Sequence, residues 1–569
     1  MTRRPRAARS ALALTAVAAL LALAGCAAIP SSGPVRTGDA VAPEEPGLAL
    51  QLPSDPLVDA DPAELVRGFL LAGAAGLQDE FAVARKFLTV GGSGEWDPRA
   101  RVLIYPRQGS EPQVDPQEDG SVVVSVPLEA IVDDAGRYTE AAPDALDQEL
   151  TFELQRDAAG QWRISELADG VLMDAAAFEA VYRPTPVYFA SADRTQLVPD
   201  LRWFATSKTP TLAVSALLDG PSAWLRDAVV SGAPEGARLS TETVTLAEDR
   251  VARVDLAEAP ALPDQADRNL LHLQLTETLR RVPVTDVEVS VGGMAWDETD
   301  VPVLERDVAP GSGPYAIVGE ELVVVSDDVP VPLDDVAPLA GLDARHPALA
   351  VDGSVRVVLS GPDRLLLLPA DGAAPATLAT GTALVAPSVD RYGWVWTGEQ
   401  ASTGRLLVVD QAGQQVDIEA PWLDGRTVRS LRVSRDGARV AIVSAGSAAG
   451  DVAILVAGIS RDDDGRPTLV SAEPLAVGAA LVDALELAWV DEVTLAVLGR
   501  GQDLGFPSTY LVPLGGPTQS LTVLEATGMA AGRGPQSIHV VDGDGTLLTR
   551  RGNQWRTVAD GVRDPVFPG

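Results

Sequence analysis

Cysteine is almost absent from this 569-residue chain: Cys26 stands alone. No disulfide can form within it, so an oxidising exterior is tolerated but stability must come from core packing. Histidine is nearly as scarce, with His272, His346 and His539 far apart in sequence. There is no His-x-x-x-His and no cysteine-based zinc pattern, which argues against a transition-metal site of the usual ligands. Gly-x-Ser-x-Gly is missing, and neither of the two lysines, Lys86 and Lys208, follows a serine by three positions. Two common serine-nucleophile signatures are therefore absent. The glycine-rich Gly499-Arg-Gly-Gln-Asp-Leu-Gly505 sits between β runs without a following helix, so it reads as a loop and not a phosphate cradle. No catalytic, cofactor or metal residue is assigned, and the chain is read as a non-enzyme. Positive charge is also short: 44 Lys and Arg against 80 Asp and Glu give a net charge of -36. Phosphate backbones and anionic headgroups repel such a body, which argues against nucleic-acid binding.

What the chain does have is an informative start. Arg3, Arg4, Arg6 and Arg9 precede an apolar run, Ala11 to Ala24, built almost wholly of Ala, Leu and Val. A basic region, a short apolar core and small residues at the cut make a secretory signal peptide. The run falls short of the roughly 20 residues that span a bilayer. Its end, Leu23-Ala24-Gly25-Cys26, has the lipobox pattern of bacterial lipoproteins. The expected product is an N-palmitoyl, S-diacylglycerol cysteine at Cys26, with residues 1–25 removed. Two or more acyl chains anchor stably where one does not. The expected place is the outer face of the cytoplasmic membrane.

Residues 26–60 are rich in Pro, Ser and Gly and read as a flexible tether. An α+β domain is expected over 61–186. Asp61-Pro62 caps a first helix carrying Leu65, Val66, Phe69 and Leu70, and a second helix is placed around Phe81 to Leu88. Strand-like runs follow at Val102–Tyr105, Ser121–Glu129, Leu150–Gln155 and Trp162–Glu166. Helices on a curved sheet suggest an NTF2-like fold, with Trp96, Phe152 and Trp162 in its core rather than stacking on a ligand.

A second α+β domain is expected over 187–300. Helix Pro210–Leu218 stops at Asp219-Gly220-Pro221, and strands follow at Thr241–Leu246 and Arg250–Leu256. Helix Asp267–Arg280 and strand Asp286–Val291 complete it. His272 falls inside that helix, where a surface role fits better than catalysis.

From 315 to 569 helical periodicity vanishes and β runs joined by Asp-Gly turns recur. Five copies are visible, at Ala348, Ser388, Arg432, Leu487 and, more weakly, His539. Spacing of about 40–55 residues suits four-stranded β-propeller blades, with the blade number open and a pair of sandwiches as the alternative. Asp462–Gly465 and Asp542–Thr546 resemble calcium loops. The second lacks the glycine and the bidentate glutamate an EF-hand needs, and tight Asp-Gly hairpin turns explain both.

Ala216-Leu-Leu-Asp-Gly-Pro-Ser222, Pro234–Leu239, Val254-Asp255-Leu256, Leu273–Leu279 and Val287–Gly293 together resemble the GerMN domain of envelope and sporulation proteins. Trp162–Val171, Tyr188-Phe189 and Leu197-Val-Pro-Asp-Leu-Arg-Trp-Phe204 look like the linking stretch of the actinobacterial LpqB lipoprotein family. With the trailing propeller, the resemblance covers almost the whole chain. It implies a lipid-anchored accessory protein that contacts the extracytoplasmic part of an MtrB-type sensor histidine kinase and acts on envelope homeostasis and division. It supplies no catalytic or interface residues. Two other readings stand beside it. One is a small-ligand or wall-fragment binder using the N-terminal pocket. The other is an envelope hydrolase, which would need a propeller funnel with converging carboxylates of unlike pKa.

Overall fold

A computed structural model describes residues 54–569, apart from 108–110, 144, 247–248, 258–263, 283, 297–300, 312, 449, 503 and 522–523. The expected lipobox, Leu23, Ala24, Gly25 and Cys26, lies outside the described residues.

Helix Pro62–Ala74 starts where the sequence places it. Asp61 accepts the Glu64 amide and Glu64 accepts the Asp61 amide, a reciprocal capping box with proline in the first turn. Its Leu65, Val66 and Phe69 are buried against two four-stranded sheets. One sheet runs Gln113–Pro116, Val122–Val126, Gln148–Arg156, Trp162–Glu166, all antiparallel. The other runs Tyr138–Glu140, Ala130–Asp133, Arg101–Tyr105, Val171–Asp174, the last pair parallel. Phe69 meets Trp96 and Phe152 edge to face at 5.2 and 5.9 Å between ring centres, so both aromatics are core residues. Trp162 is half-buried and lies under the Arg156 guanidinium. The helix expected over Phe81 to Leu88 shrinks to Ala82–Arg85. Phe81 adopts a left-handed conformation at φ 64° just before it, and past Arg85 the backbone pairs with strand Trp162–Glu166 instead, Ile164 N–H donating to the Phe87 carbonyl at 2.9 Å and Thr89 N–H to the Ile164 carbonyl at 2.8 Å.

The middle domain opens with a long antiparallel hairpin, Tyr182–Ser191 with Leu197–Ala205. Helix Thr209–Asp219 follows and ends at Gly220, whose φ of 90° favours glycine. Parallel strands Val251–Leu256 and Asp286–Val291 are joined through helix Gln265–Leu279, and Leu271, Leu275 and Leu279 of the helix pack on Val254 and Val289. The expected strand Thr241–Leu246 is present only as Thr245–Leu246.

Among its described residues the C-terminal region holds six sheets, five of four strands and one of five, each open by itself. Their inner strands are Ala344–Leu349, Ser388–Val389, Thr427–Val433, Asp483–Trp489, Gly528–Ala531 and Val562–Val566. Each inner strand packs beside the next in this order, and Val562–Val566 adjoins both Gly528–Ala531 and Ala344–Leu349. Side chains stitch neighbours together. Ser388 Oγ accepts the Val433 amide at 3.1 Å, Ser430 Oγ the Leu487 amide at 3.3 Å, and Glu486 Oε2 the Met529 amide at 3.0 Å.

The repeat count of five becomes six sheets for a physical reason. One sheet is assembled from both ends of the region: Val562–Val566 pairs antiparallel with Tyr315–Val318, so no contiguous repeat marks it. The weak copy at His539 is out of phase, covering the second and third strands of its sheet. Its inner turn, Gly532–Ser537, is a glycine-proline turn without the Asp-Gly signal.

Candidate functional site

The acidic turns are built by their own backbone. Asp462 accepts from the amides of Asp464 and Arg466, and Asp542 from those of Asp544 and Thr546. Among the described residues no group of His, Cys, Asp and Glu is arranged to hold a metal. The histidines stay apart: His272 on the middle-domain helix, His539 beside Phe567, and His346 on an inner strand. The N-terminal hollow between Phe69, Trp96 and Phe152 has only about 30 Å³ of free volume, room for about one or two waters. That is small for the pocket-binding reading of this domain.

Two places concentrate polar groups. The first is the hairpin that the sequence marks as a linking stretch. Every residue of Leu197–Ala205 is buried, because the hairpin is wedged between the other two domains. The Trp203 ring packs on Phe178 and Tyr138 of the N-terminal domain, while its indole N–H donates to the Gly515 carbonyl at 2.6 Å. Asp200 and Arg202 form a buried ion pair, and Asp200 also accepts from Ser222. On the opposite strand the Tyr188 hydroxyl donates to Glu492, which faces Arg306 as well. Burial pushes the Glu492 carboxyl and the Tyr188 phenol up. Val198, Trp224, Leu225 and Ala228 join a core cluster with Ala441, Val456 and Leu487. Glu140 ties the N-terminal domain directly to the Thr518 amide at 2.7 Å. Three domains thus share buried side chains in one continuous interface.

The second place is a hollow of about 440 Å³ at the starts of the inner strands. Four of the six inner strands bulge there: at His346-Pro347, Arg429, Leu485 and Asp564-Pro565. A bulge re-aims a side chain, and His346, Arg429, Leu485 and Asp564 all line the hollow. His346 and Asp564 both sit in the left-handed region, at φ 49° and 48°, and face each other with Nδ1 and Oδ1 3.1 Å apart. Burial lowers the His346 pKa against the pull of Asp564, with Arg432 and Arg345 lowering it further. Glu486 stands where the serines of the two preceding sheets stand, and its second oxygen lies 3.7 Å from buried Arg432. Burial pushes its carboxyl up to about 7, with Arg432 opposing. A quarter of that side chain still opens into the hollow.

None of these residues was singled out from the sequence. One signal was legible: Arg345-His346-Pro347 and Arg563-Asp564-Pro565 repeat a proline inside a strand, which strands accept at bulges.

The domains match known families in the same order. Residues 55–179 match the family described as Lipoprotein LpqB, N-terminal domain; 186–296 that described as Sporulation and spore germination; and 320–568 the Lipoprotein LpqB beta-propeller domain. None of the three is described as an enzyme. An N-terminal domain, a GerMN-like domain and a β-rich C-terminal region, in that order, make a multidomain protein of the lipoprotein LpqB kind. Proteins named Lipoprotein LpqB are similar over nearly the full length: 27% identical in Thermobifida fusca and in Cutibacterium acnes, each covering 99% of both chains. The one from Streptomyces coelicolor is 27% identical over 97% of each chain. The chain belongs to the LpqB lipoprotein family. No helix among the described residues is long and apolar enough to cross a membrane.

Proposed function

We propose that this chain is a lipid-anchored accessory protein on the outer face of the cytoplasmic membrane. It binds the extracytoplasmic part of an MtrB-type sensor histidine kinase and modulates its signal in envelope homeostasis and division. The observation that carries this reading is the three-domain interface around Trp203, Tyr188 and Glu492, which makes a scaffold of modules that otherwise could move independently. A rigid scaffold presents a partner with a preformed surface at low ordering cost. In this reading the N-terminal domain follows the NTF2-like plan, and the six sheets act as blades of a closed propeller. The last strand of the region, paired with the first, would hold that closure. Lipid at Cys26 keeps the scaffold in the plane of the kinase, raising effective concentration without a new contact.

Capture from detergent-solubilised membranes, using the full lipidated chain as bait, tests this. The kinase should co-purify, and removing the chain from cells should change phosphorylation of the cognate response regulator. An unchanged phosphorylation level together with no kinase in the eluate would overturn it.

A further inference from the structure

We propose that the hollow at the starts of the inner strands is a binding site for a neutral, polyhydroxylated ligand, of the size of about one or two sugar rings. Its volume of about 440 Å³ falls in the range of small-molecule sites, roughly 300–1,000 Å³. Bulges on four inner strands turn their side chains toward it at one level, a repeated local cost that simple sheet packing does not require. Two of those strands also hold a non-glycine residue, His346 and Asp564, in left-handed backbone. Strain of this kind persists where surrounding structure holds it, and it clusters at ligand sites.

The charges on the wall decide the ligand class. Asp564 faces His346, Glu486 faces Arg432, and Arg429 faces Asp483. Asp542 accepts two amides of its own turn, and Arg563 donates to the Gly319 carbonyl. The lining itself carries both signs, Arg429 and Arg563 against Asp542 and Asp564, so a ligand of either net charge meets like charge as well as opposite. What remains are lone pairs and N–H edges, from carboxylates and guanidinium groups together with the Gln400 amide, interleaved around one space. A hydroxyl both donates and accepts, so a molecule bearing many hydroxyls can satisfy both kinds of edge. Among the described residues no Phe, Tyr or Trp lines the hollow, so stacking of a flat aromatic ring would fall to His346, Arg429 or Arg563, which are held by Asp564, Asp483 and the Gly319 carbonyl. This site goes beyond the kinase-binding reading and does not depend on it.

Titration calorimetry and saturation-transfer NMR with the full chain test the proposal, using cellobiose and di-N-acetylchitobiose as neutral probes. Inorganic phosphate and the zwitterion alanylalanine serve as charged ones. At least one saccharide should bind saturably, and neither charged probe should displace it. Asp564→Asn should weaken binding about tenfold, the loss expected when one charge-assisted hydrogen bond goes. Gln400→Ala should weaken it several-fold while sparing the fold, because the backbone of Gln400 carries its pairing with Ala383 and Val428. Absence of saturable binding by both saccharides would overturn the proposal. So would saturable binding of phosphate or alanylalanine that saccharide does not displace, or saccharide affinity unchanged in both variants.

Discussion

The inner strands of the C-terminal region start at the hollow, the turns after two of them reach the middle domain through Arg391 and Glu492, and the two ends treat polar groups in opposite ways. At the docked end the chain uses them up. Asp390 accepts the amides of Tyr392 and Trp394, the Trp396 indole N–H and the Arg461 guanidinium, all within the fold. Arg435, half-buried and with its pKa lowered to about 10 by desolvation, donates to the carbonyls of Trp489, Ala531 and Gly532. Arg391 and Glu492 reach across to Asp193 and Tyr188 of the hairpin. At the hollow, bulged strands leave hydrogen-bonding edges around empty space. One end is organised as structure and interface, and the other as a site.

The largest blow to the docked end should come from Asp390→Ala, which strands Arg461 in the core. Loss of one partner of a buried ion pair costs about 3–5 kcal/mol, read as a lower denaturation midpoint in urea. A smaller effect is expected from Gly458→Val. A Cβ there would stand 2.8 Å from both the Ala228 Cβ and the Trp224 carbonyl, so overpacking should cost about 1–3 kcal/mol. That loss should appear as faster limited proteolysis between the middle and C-terminal domains.

At the hollow the effects should be milder and conditional. Burial raises the Glu486 carboxyl from its ordinary 4.5 to about 7, so the folded chain keeps a proton that the unfolded chain releases. Its contribution is full below about pH 4.5 and is lost as pH rises through about 7. Glu486→Gln removes that dependence. Relative to the parent, its melting temperature should rise by about 2–4 °C between pH 5 and pH 8 in scanning calorimetry. The smallest effect is expected from His346→Asn. Asparagine tolerates left-handed backbone, so stability should stay within about 0.5 kcal/mol of the parent in urea titration. A hollow-side change as costly as Asp390→Ala would erase the contrast between the two ends.

The same contrast explains what was legible in sequence. The helix at Asp61-Pro62, the helix ending at Gly220 and the Asp-Gly turns announce themselves because local chemistry dictates them. The linking stretch around Trp203 was visible as a resemblance, but its role as a three-way wedge depends on partners about 25 residues before it and more than 300 after it in the chain. The sheet built from both chain ends left no contiguous pattern. The hollow was hidden for a related reason: His346, Arg429, Glu486 and Asp564 come from four separate sheets, and bulges aim three of them. No window along the chain contains the site.

The accessory role is tested most directly by kinase autophosphorylation in proteoliposomes carrying an MtrB-type kinase, with lipidated chain or Cys26→Ser chain added at the same bulk concentration. The lipidated chain should change the autophosphorylation rate, and the soluble variant should match that effect only at much higher concentration. An unaltered rate at every density of lipidated chain, or equal potency of the two forms, would contradict the account.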